Sequence, residues 1–164
     1  MNAREFEEYR DRPWSEILEQ AAEATRQLVE QVEGRSEVEL RGTETLPWQE
    51  GRPLWRLIAG SSYIHPMTMH LAPIYVERGE KEYATELQRE GAELLGELDE
   101  GESWQGLVRY NLACHYALVG EVTEALEKLR EALGLNPGLT EWSQEDPDLA
   151  SIREEPDYQA LYGK

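Results

Sequence analysis

Cysteine is almost absent from this sequence, because Cys114 is the only one among 164 residues. A disulfide within the chain is therefore excluded, and we expect a protein of a reducing compartment. Cys114 lies within an apolar segment and has no basic neighbour in sequence. A reactive thiol needs a positively charged environment, so we interpret Cys114 as a small core residue.

Long apolar runs are also missing. No stretch of about 18 consecutive apolar residues occurs, so no helix is predicted to span a membrane. The first ten residues, MNAREFEEYR, are charged and have no apolar centre, so they do not resemble a signal peptide. We therefore expect a soluble, cytoplasmic protein.

Positive charge is scarce. Lys and Arg together number 16 against 34 Asp and Glu, which gives a formal net charge of −18. A polyanion repels nucleic-acid phosphates and anionic lipids, so we expect neither nucleic acid nor membrane as a partner. The charges are distributed along the predicted helices and are not gathered in one tail, which indicates solvated helix faces.

The signatures of common enzyme sites are missing as well. Ser61 and Ser62 lack the Gly-x-Ser-x-Gly elbow of hydrolases, and no glycine-rich phosphate loop precedes a helix. Carboxylates are so numerous that pairing them from the sequence alone has a high false-positive rate. The sequence favours a non-enzymatic protein, with no catalytic residue and no cofactor predicted.

Helical periodicity is what the sequence does contain, with no convincing strand alternation. The spacing predicts long helices over residues 13–33, 53–78, 80–98, 104–119 and 121–133. For the first helix, Pro13 suits the first turn and Gly34 supplies a left-handed stop. Pro66 and Pro73 lie inside the second helix, so we expect a kink or a break near His65.

Shorter signals occur between and beyond these helices. Ser36 and Glu39 have the spacing of a capping box, and Ser103 can cap the fourth long helix. Near the C-terminus the sequence predicts single turns at 140–143 and 156–162, and another that begins at Asp146-Pro147. We expect three tryptophans at helical positions to lie in the core: Trp14, Trp55 and Trp104.

The most informative segment spans residues 110–137. Counting a 34-residue repeat from residue 106 places Ala113, Ala125 and Ala132 at positions eight, twenty and twenty-seven, and Gly120 at fifteen. Small residues there let two antiparallel helices approach closely. Residues 106–139 thus resemble one tetratricopeptide repeat. The resemblance implies a module that binds other chains, and its groove-lining candidates are Arg109, Tyr110, Tyr116 and Glu124. We expect Tyr110 and Tyr116 to be the most exposed of these.

The segments on either side of the repeat carry further resemblances. The tail resembles the terminating segment of bacterial tetratricopeptide arrays, so that the likeness covers about 106–164. The matching residues are Trp142, Asp146-Pro147-Asp148-Leu149, Arg153, Pro156, Tyr158 and Leu161. The resemblance implies that the tail covers the exposed face of the repeat. Residues 75–98 faintly resemble the second helix of such a repeat, with Gly79 and Ala84 in the places of Gly120 and Ala125.

The first half of the chain resembles a different family. Residues 14–40, followed by GRPLWRLIAGSSYIHPMTMHLAPIY, are similar to the last two helices of DinB-like four-helix bundles, in particular the ClbS/DfsB type. The likeness covers about residues 13–78 and implies half a bundle. Half a bundle leaves apolar surface uncovered. Either the neighbouring repeat covers that surface, or a second copy of the chain completes the bundle as a homodimer, which we favour.

Many DinB-like proteins are metal enzymes with three histidine ligands. Here His65 and His70 are five residues apart, which separates them by about 140° on a regular helix, and the helix that would supply a third ligand is missing. We therefore predict no metal site. The alternative is a reduced DinB-like metal-dependent or ClbS-like hydrolase, or a small-molecule binder, with its site near Tyr63, His65 and His70.

Together these patterns predict an all-α protein of antiparallel helices. Residues 1–79 would form the DinB-like helical pair, and residues 80–164 a linking helix, one tetratricopeptide-like repeat and a cap of short helices, all in one compact body. The predicted function is that of a protein–protein interaction or assembly module. It would self-associate through the N-terminal helices and bind a protein or peptide of unknown identity.

Overall fold

The computed structural model of this protein describes residues 3–44 and 46–163. Within these ranges the chain forms helices and no strand, which confirms the predicted all-α class. The α-helices are α1 (Ala3–Tyr9), α2 (Trp14–Glu33), α3 (Glu37–Arg41), α4 (Leu54–Ala59), α5 (Ala72–Glu77), α6 (Lys81–Gly96), α7 (Glu102–Val119), α8 (Val122–Leu135), α9 (Thr140–Glu145) and α10 (Pro156–Leu161). A π-helix spans Gly60–Leu71, and 3-10 helices span Pro137–Leu139 and Pro147–Ile152.

The chain divides into two compact units, Met1–Leu57 and Ile58–Lys164. The boundary predicted at residue 79 lies inside the second unit. Across the described ranges, every helix is either too short or too polar to cross a lipid bilayer.

Local signals set the ends of the helices in the first unit. Pro13 is the N-cap residue of α2, and Ser36 and Glu39 form the predicted capping box at the start of α3. The prediction of a left-handed stop at Gly34 was wrong: its φ is −75°, and its N–H bonds back to the carbonyl of Glu30. Helix α1 was not predicted, because its charged sequence has too few apolar residues to show a period.

The second predicted helix does not break at His65. Residues 54–77 are helical throughout, and the central twelve residues form a π-helix. Pro66 has no N–H to donate and crowds the preceding turn, which accounts for the wider turn. Two hydroxyl groups donate to carbonyl oxygens in this region, Ser62 Oγ to Ile58 at 2.6 Å and Thr68 Oγ1 to Ile64 at 2.7 Å.

The second unit contains two helical hairpins whose turns correspond at an offset of 41 residues. Gly79 and Gly120 end the first helix of each hairpin with positive φ angles of 81° and 88°, where a side chain would be strained. The following N–H groups then bond to Tyr75 and Tyr116, both at 2.9 Å. The turn at Gly79 thus has the same backbone geometry as the turn at Gly120.

The buried positions of the two hairpins also correspond. Four pairs of residues, each 41 apart, are buried: Ala72 and Ala113, Ala84 and Ala125, Gln88 and Leu129, Gly91 and Ala132. Each pair except the third consists of small residues, which allow close helix packing. Helices α5, α6, α7 and α8 thus form a stack in which successive helices pack against each other.

The C-terminal tail closes this stack. Leu149 and Ile152 of the second 3-10 helix have no exposed surface, and the 3-10 helix packs on α7. Asp146 caps that 3-10 helix as predicted, since its carboxylate accepts from the N–H of Asp148 at 3.0 Å. The predicted cap at Ser103 was wrong. Helix α7 begins earlier, with Gly101 as its N-cap residue.

Candidate functional site

The structure places Tyr110, a predicted partner contact, in the core. Only 4% of its surface is exposed, and its hydroxyl group donates to Oδ2 of Asp146 at 2.7 Å. Burial, followed by this hydrogen bond, raises the pKa of the phenol well above its ordinary value. The expectation of an exposed Tyr110 was wrong, because the tail covers the face of α7 on which it lies.

Tyr116 is equally buried, on the side of α7 that faces α6. Its hydroxyl group accepts from Nε of Arg89 at 2.7 Å, and the Arg89 guanidinium lies 5.6 Å from the centre of its ring. Exposure of Tyr116 was also a wrong expectation, since α6 packs against the side of α7 on which Tyr116 lies. The hydrogen bond to Tyr116 raises the pKa of the Arg89 guanidinium above its ordinary value.

The other two predicted contacts, Arg109 and Glu124, are partly exposed. Arg109 pairs with Glu131 at 3.2 Å and donates to Gln105 Oε1 at 2.8 Å, at the edge of a cavity of about 350 Å³ that Lys128 also lines. Tyr110 lines a different cavity. The structure therefore does not gather the four residues at one surface, and a role for any of them in binding a partner stays a prediction.

A larger groove runs along α7, with a volume of about 560 Å³. Its apolar lining includes Leu107, Leu118, Leu139, Trp142, Pro73 and Pro147. Trp142 is 59% exposed and Leu118 is 44% exposed, although both are large apolar side chains. The sequence placed Trp142 in the capping tail and gave no sign that its ring would remain accessible.

A cysteine and two carboxylates meet at the edge of this groove. Ligand atoms of Cys114, Asp146 and Asp148 lie within 4.8 Å of one another. Both Asp146 oxygens are already hydrogen-bonded, to the Asp148 N–H and to the Tyr110 hydroxyl group. Burial, and then the nearby carboxylates, raise the pKa of the Cys114 thiol, which disfavours the thiolate that metals bind. We interpret this cluster as the cap that anchors the tail.

The amphipathic helix α2 leaves its apolar face uncovered. None of its 20 residues is buried, and Trp14 and Leu18 are 71% and 52% exposed. The prediction of a core position for Trp14 was therefore wrong, whereas Trp104 is buried as predicted. Helical spacing identified this face in the sequence but could not show whether anything covers it.

His65 and His70 are brought together by the π-helix. Their ring centres lie 4.8 Å apart in an edge-to-face arrangement, and both side chains are exposed. The separation of about 140° that we derived holds for an α-helix. That value does not apply here. In a π-helix the backbone hydrogen bonds join residues five positions apart, so the side chains of such residues lie on the same side of the helix. The structure thus reverses the expectation that the two histidines point apart.

The third histidine, His115, lies in the core of the second unit. Its Nε2 is 2.9 Å from the Thr85 hydroxyl group, and Nδ1 has no hydrogen-bond partner among the described residues. Burial, and then the nearby positive charge of Arg89, lower its pKa to about 4. His115 is therefore neutral in the folded protein at neutral pH.

Because His115 is neutral in the folded protein, we expect the free energy of unfolding to decrease in acid. In the unfolded chain a histidine has its ordinary pKa of about 6.5. Between that value and about 4, the unfolded state binds a proton that the folded state does not, so stability falls as the pH falls through this window. Urea unfolding at pH 7 and at pH 5 measures this decrease in the free energy of unfolding. We expect the decrease to be smaller in His115→Asn than in the wild type, by about 1 kcal/mol. The same decrease in both proteins would contradict this.

Comparison of the chain with protein-family models, with curated proteins and with solved structures gives no match. No family is identified.

Proposed function

We propose that this protein is an assembly module that self-associates through α2. This proposal is based on the uncovered apolar face of α2. The helix has 20 residues, and none of its side chains is buried. A helix of this length is about 30 Å long. Exposed apolar surface of that extent on a helix is typical of an interaction site.

The distribution of residues around α2 indicates what kind of partner covers it. With Leu18 at heptad position a, nine of the twelve residues at positions a, d, e and g are apolar: Trp14, Ile17, Leu18, Ala21, Ala22, Ala24, Leu28, Val29 and Val32. Thr25 completes this face, and its hydroxyl group bonds within the helix to the Ala21 carbonyl at 2.9 Å. A stripe this wide is typical of a helix in a bundle, whereas a two-stranded coiled coil has a narrower seam.

The charges on α2 are compatible with a second copy. All six charged residues fall at positions b and f: Glu16, Glu19, Glu23, Arg26, Glu30 and Glu33. Because these positions lie opposite the apolar face, two acidic helices can pair without bringing like charges together. The same charges disfavour a lipid surface, since interfacial helices carry Lys and Arg on the polar face.

Multi-angle light scattering of the purified protein at micromolar concentration tests this proposal. We expect a mass of twice 18.9 kDa for the wild type and of 18.9 kDa for Leu18→Glu, which places a charge in the proposed interface. The matched control is Gln20→Glu, which adds the same charge at a position c on the polar face and should leave the dimer intact.

Two outcomes would contradict self-association through α2. One is a monomeric wild type throughout the micromolar range, and the other is a dimer that Leu18→Glu leaves unchanged. A monomeric wild type that sediments with lipid vesicles would instead assign the apolar face of α2 to a membrane. Binding of a second protein or peptide, which the tetratricopeptide resemblance implies, stays a prediction, and the groove along α7 is the surface that supports it.

A further inference from the structure

The π-helix determines which histidine atoms can meet. In an α-helix the residues that face each other are three or four apart, so a spacing of five would direct His65 and His70 to different sides. In a π-helix the backbone bond runs from residue i to residue i+5, so residues five apart stack one turn above the other. The sequence spacing of this pair therefore fits the unusual backbone and not a regular helix.

Both imidazoles are exposed as well as close. Their ring centres are 4.8 Å apart, and each side chain is open to solvent, so the rings can turn without displacing core residues. No Lys or Arg occurs between Arg56 and Arg78, so no positively charged side chain of this segment repels a metal ion. Segment 51–76 also contains no Asp, Glu or Cys, so among the side chains of these residue types and histidine the two imidazoles are its only donors for a metal ion.

We propose that His65 and His70 of one chain together bind a single divalent transition-metal ion of the zinc, nickel and copper class. Neutral imidazole is a preferred ligand of these ions, whereas carboxylates and carbonyls suit magnesium and calcium. The remaining coordination positions are open to water or to a donor from outside the chain. The net charge of −18 raises the local concentration of cations and assists capture.

This site is independent of self-association and is not a three-histidine enzyme centre. Within the described residues, neither histidine belongs to a group of three potential ligands. We therefore propose no reaction at the pair. Its function would be to hold a metal ion whose remaining coordination positions exchange ligands with the solvent.

Titration calorimetry of the full chain with Ni²⁺, and separately with Zn²⁺, tests the site. We expect one ion per chain for the wild type. Loss of even an outer-shell partner of a metal ligand typically weakens affinity 10- to 100-fold, so we expect His65→Ala and His70→Ala each to weaken binding by at least about tenfold. Excess Mg²⁺ in every titration occupies the numerous carboxylates, which prefer hard ions.

A register variant provides the matched control. Combining His70→Leu with Leu71→His keeps the composition and the number of histidines but changes their spacing from five to six residues. We expect this protein to bind as weakly as the single alanine variants. Circular dichroism of each variant, with the helical content of the wild type, would show that loss of binding is not loss of the fold.

Three results would overturn the proposal. Equal affinity in the wild type and the alanine variants would assign binding to carboxylates, and unchanged affinity in the register variant would show that the π-helical spacing is irrelevant. The third result is one ion per two chains that is lost in Leu18→Glu, which would place the ligands in two copies. Failure of self-association, by contrast, leaves the expected one-to-one binding unchanged, so the two proposals are tested separately.

Discussion

Replacing Asp146 by alanine is expected to lower the free energy of unfolding of the second unit by about 3 kcal/mol. The change removes the cap of the second 3-10 helix, which typically contributes about 1 kcal/mol. It also leaves the buried Tyr110 hydroxyl group without its acceptor, and a hydrogen bond to a charged group is worth about 1.5–3 kcal/mol. For a unit of this size the loss corresponds to a melting temperature lower by roughly 10–15 °C, which calorimetry can measure.

The control for this substitution lies two residues away. Asp148 is exposed, and the pKa of its carboxyl group is raised by partial burial and by the charge of Asp146. Asp148→Asn removes that repulsion and no side-chain cap, so we expect a change within about 0.5 kcal/mol. Similar losses in the Asp146 and Asp148 variants would show that general charge effects, and not the cap and the Tyr110 bond, anchor the tail.

Substituting Gly106 by alanine is expected to destabilise the second unit by about 2 kcal/mol, as overpacking does. Helix α7 packs closely against the C-terminal end of α8 at this residue. An added Cβ atom would lie 2.6 Å from the Asn136 Cβ atom, 3.0 Å from the Ala132 carbonyl oxygen and 3.1 Å from the Asn136 nitrogen. Two of these three atoms belong to the backbone, so a side chain cannot simply rotate away and the helices must separate. Urea unfolding gives the free energy.

Gly134 supplies the comparison in the same pair of helices. It lies in α8, and an added Cβ atom there would meet no other atom within 4 Å. Because alanine favours helix over glycine, Gly134→Ala should stabilise the protein by up to about 1 kcal/mol. The two substitutions are chemically identical and are expected to act in opposite directions. A stabilising Gly106→Ala would mean that α7 and α8 are not in close contact.

Features that depend on neighbours in sequence were predictable. The all-α class follows from periodicity, and the start of α2, the capping box of α3 and the Asp146 cap each depend on residues within one turn. The turn at Gly120 and the small residues of the second hairpin were identified for the same reason, since a short antiparallel connection imposes a fixed pattern.

Features that depend on distant contacts were not predictable. The pattern of α7 is apolar on more than one side, so it could not show which aromatic side chains the tail or α6 would cover. Tyr110 and Tyr116 are therefore buried, although the sequence led us to expect them to be exposed. The proximity of His65 and His70 was missed because the geometry of a regular helix was assumed, and nothing in the local sequence distinguishes a long π-helix from a proline break.

The repeated hairpin has a consequence for how this protein folds. Contacts in the second unit are close in sequence: even the hydrogen bonds from Lys81 to Val119 and from Tyr110 to Asp146 join residues only 38 and 36 apart. Contacts between residues that are close in sequence are typical of rapidly folding helical proteins. Each hairpin can form soon after it leaves the ribosome, before the tail has emerged. Until Asp146 emerges, the growing chain exposes the apolar face of α7 on which the tail later packs. That interval is when a chaperone would have most reason to bind the chain.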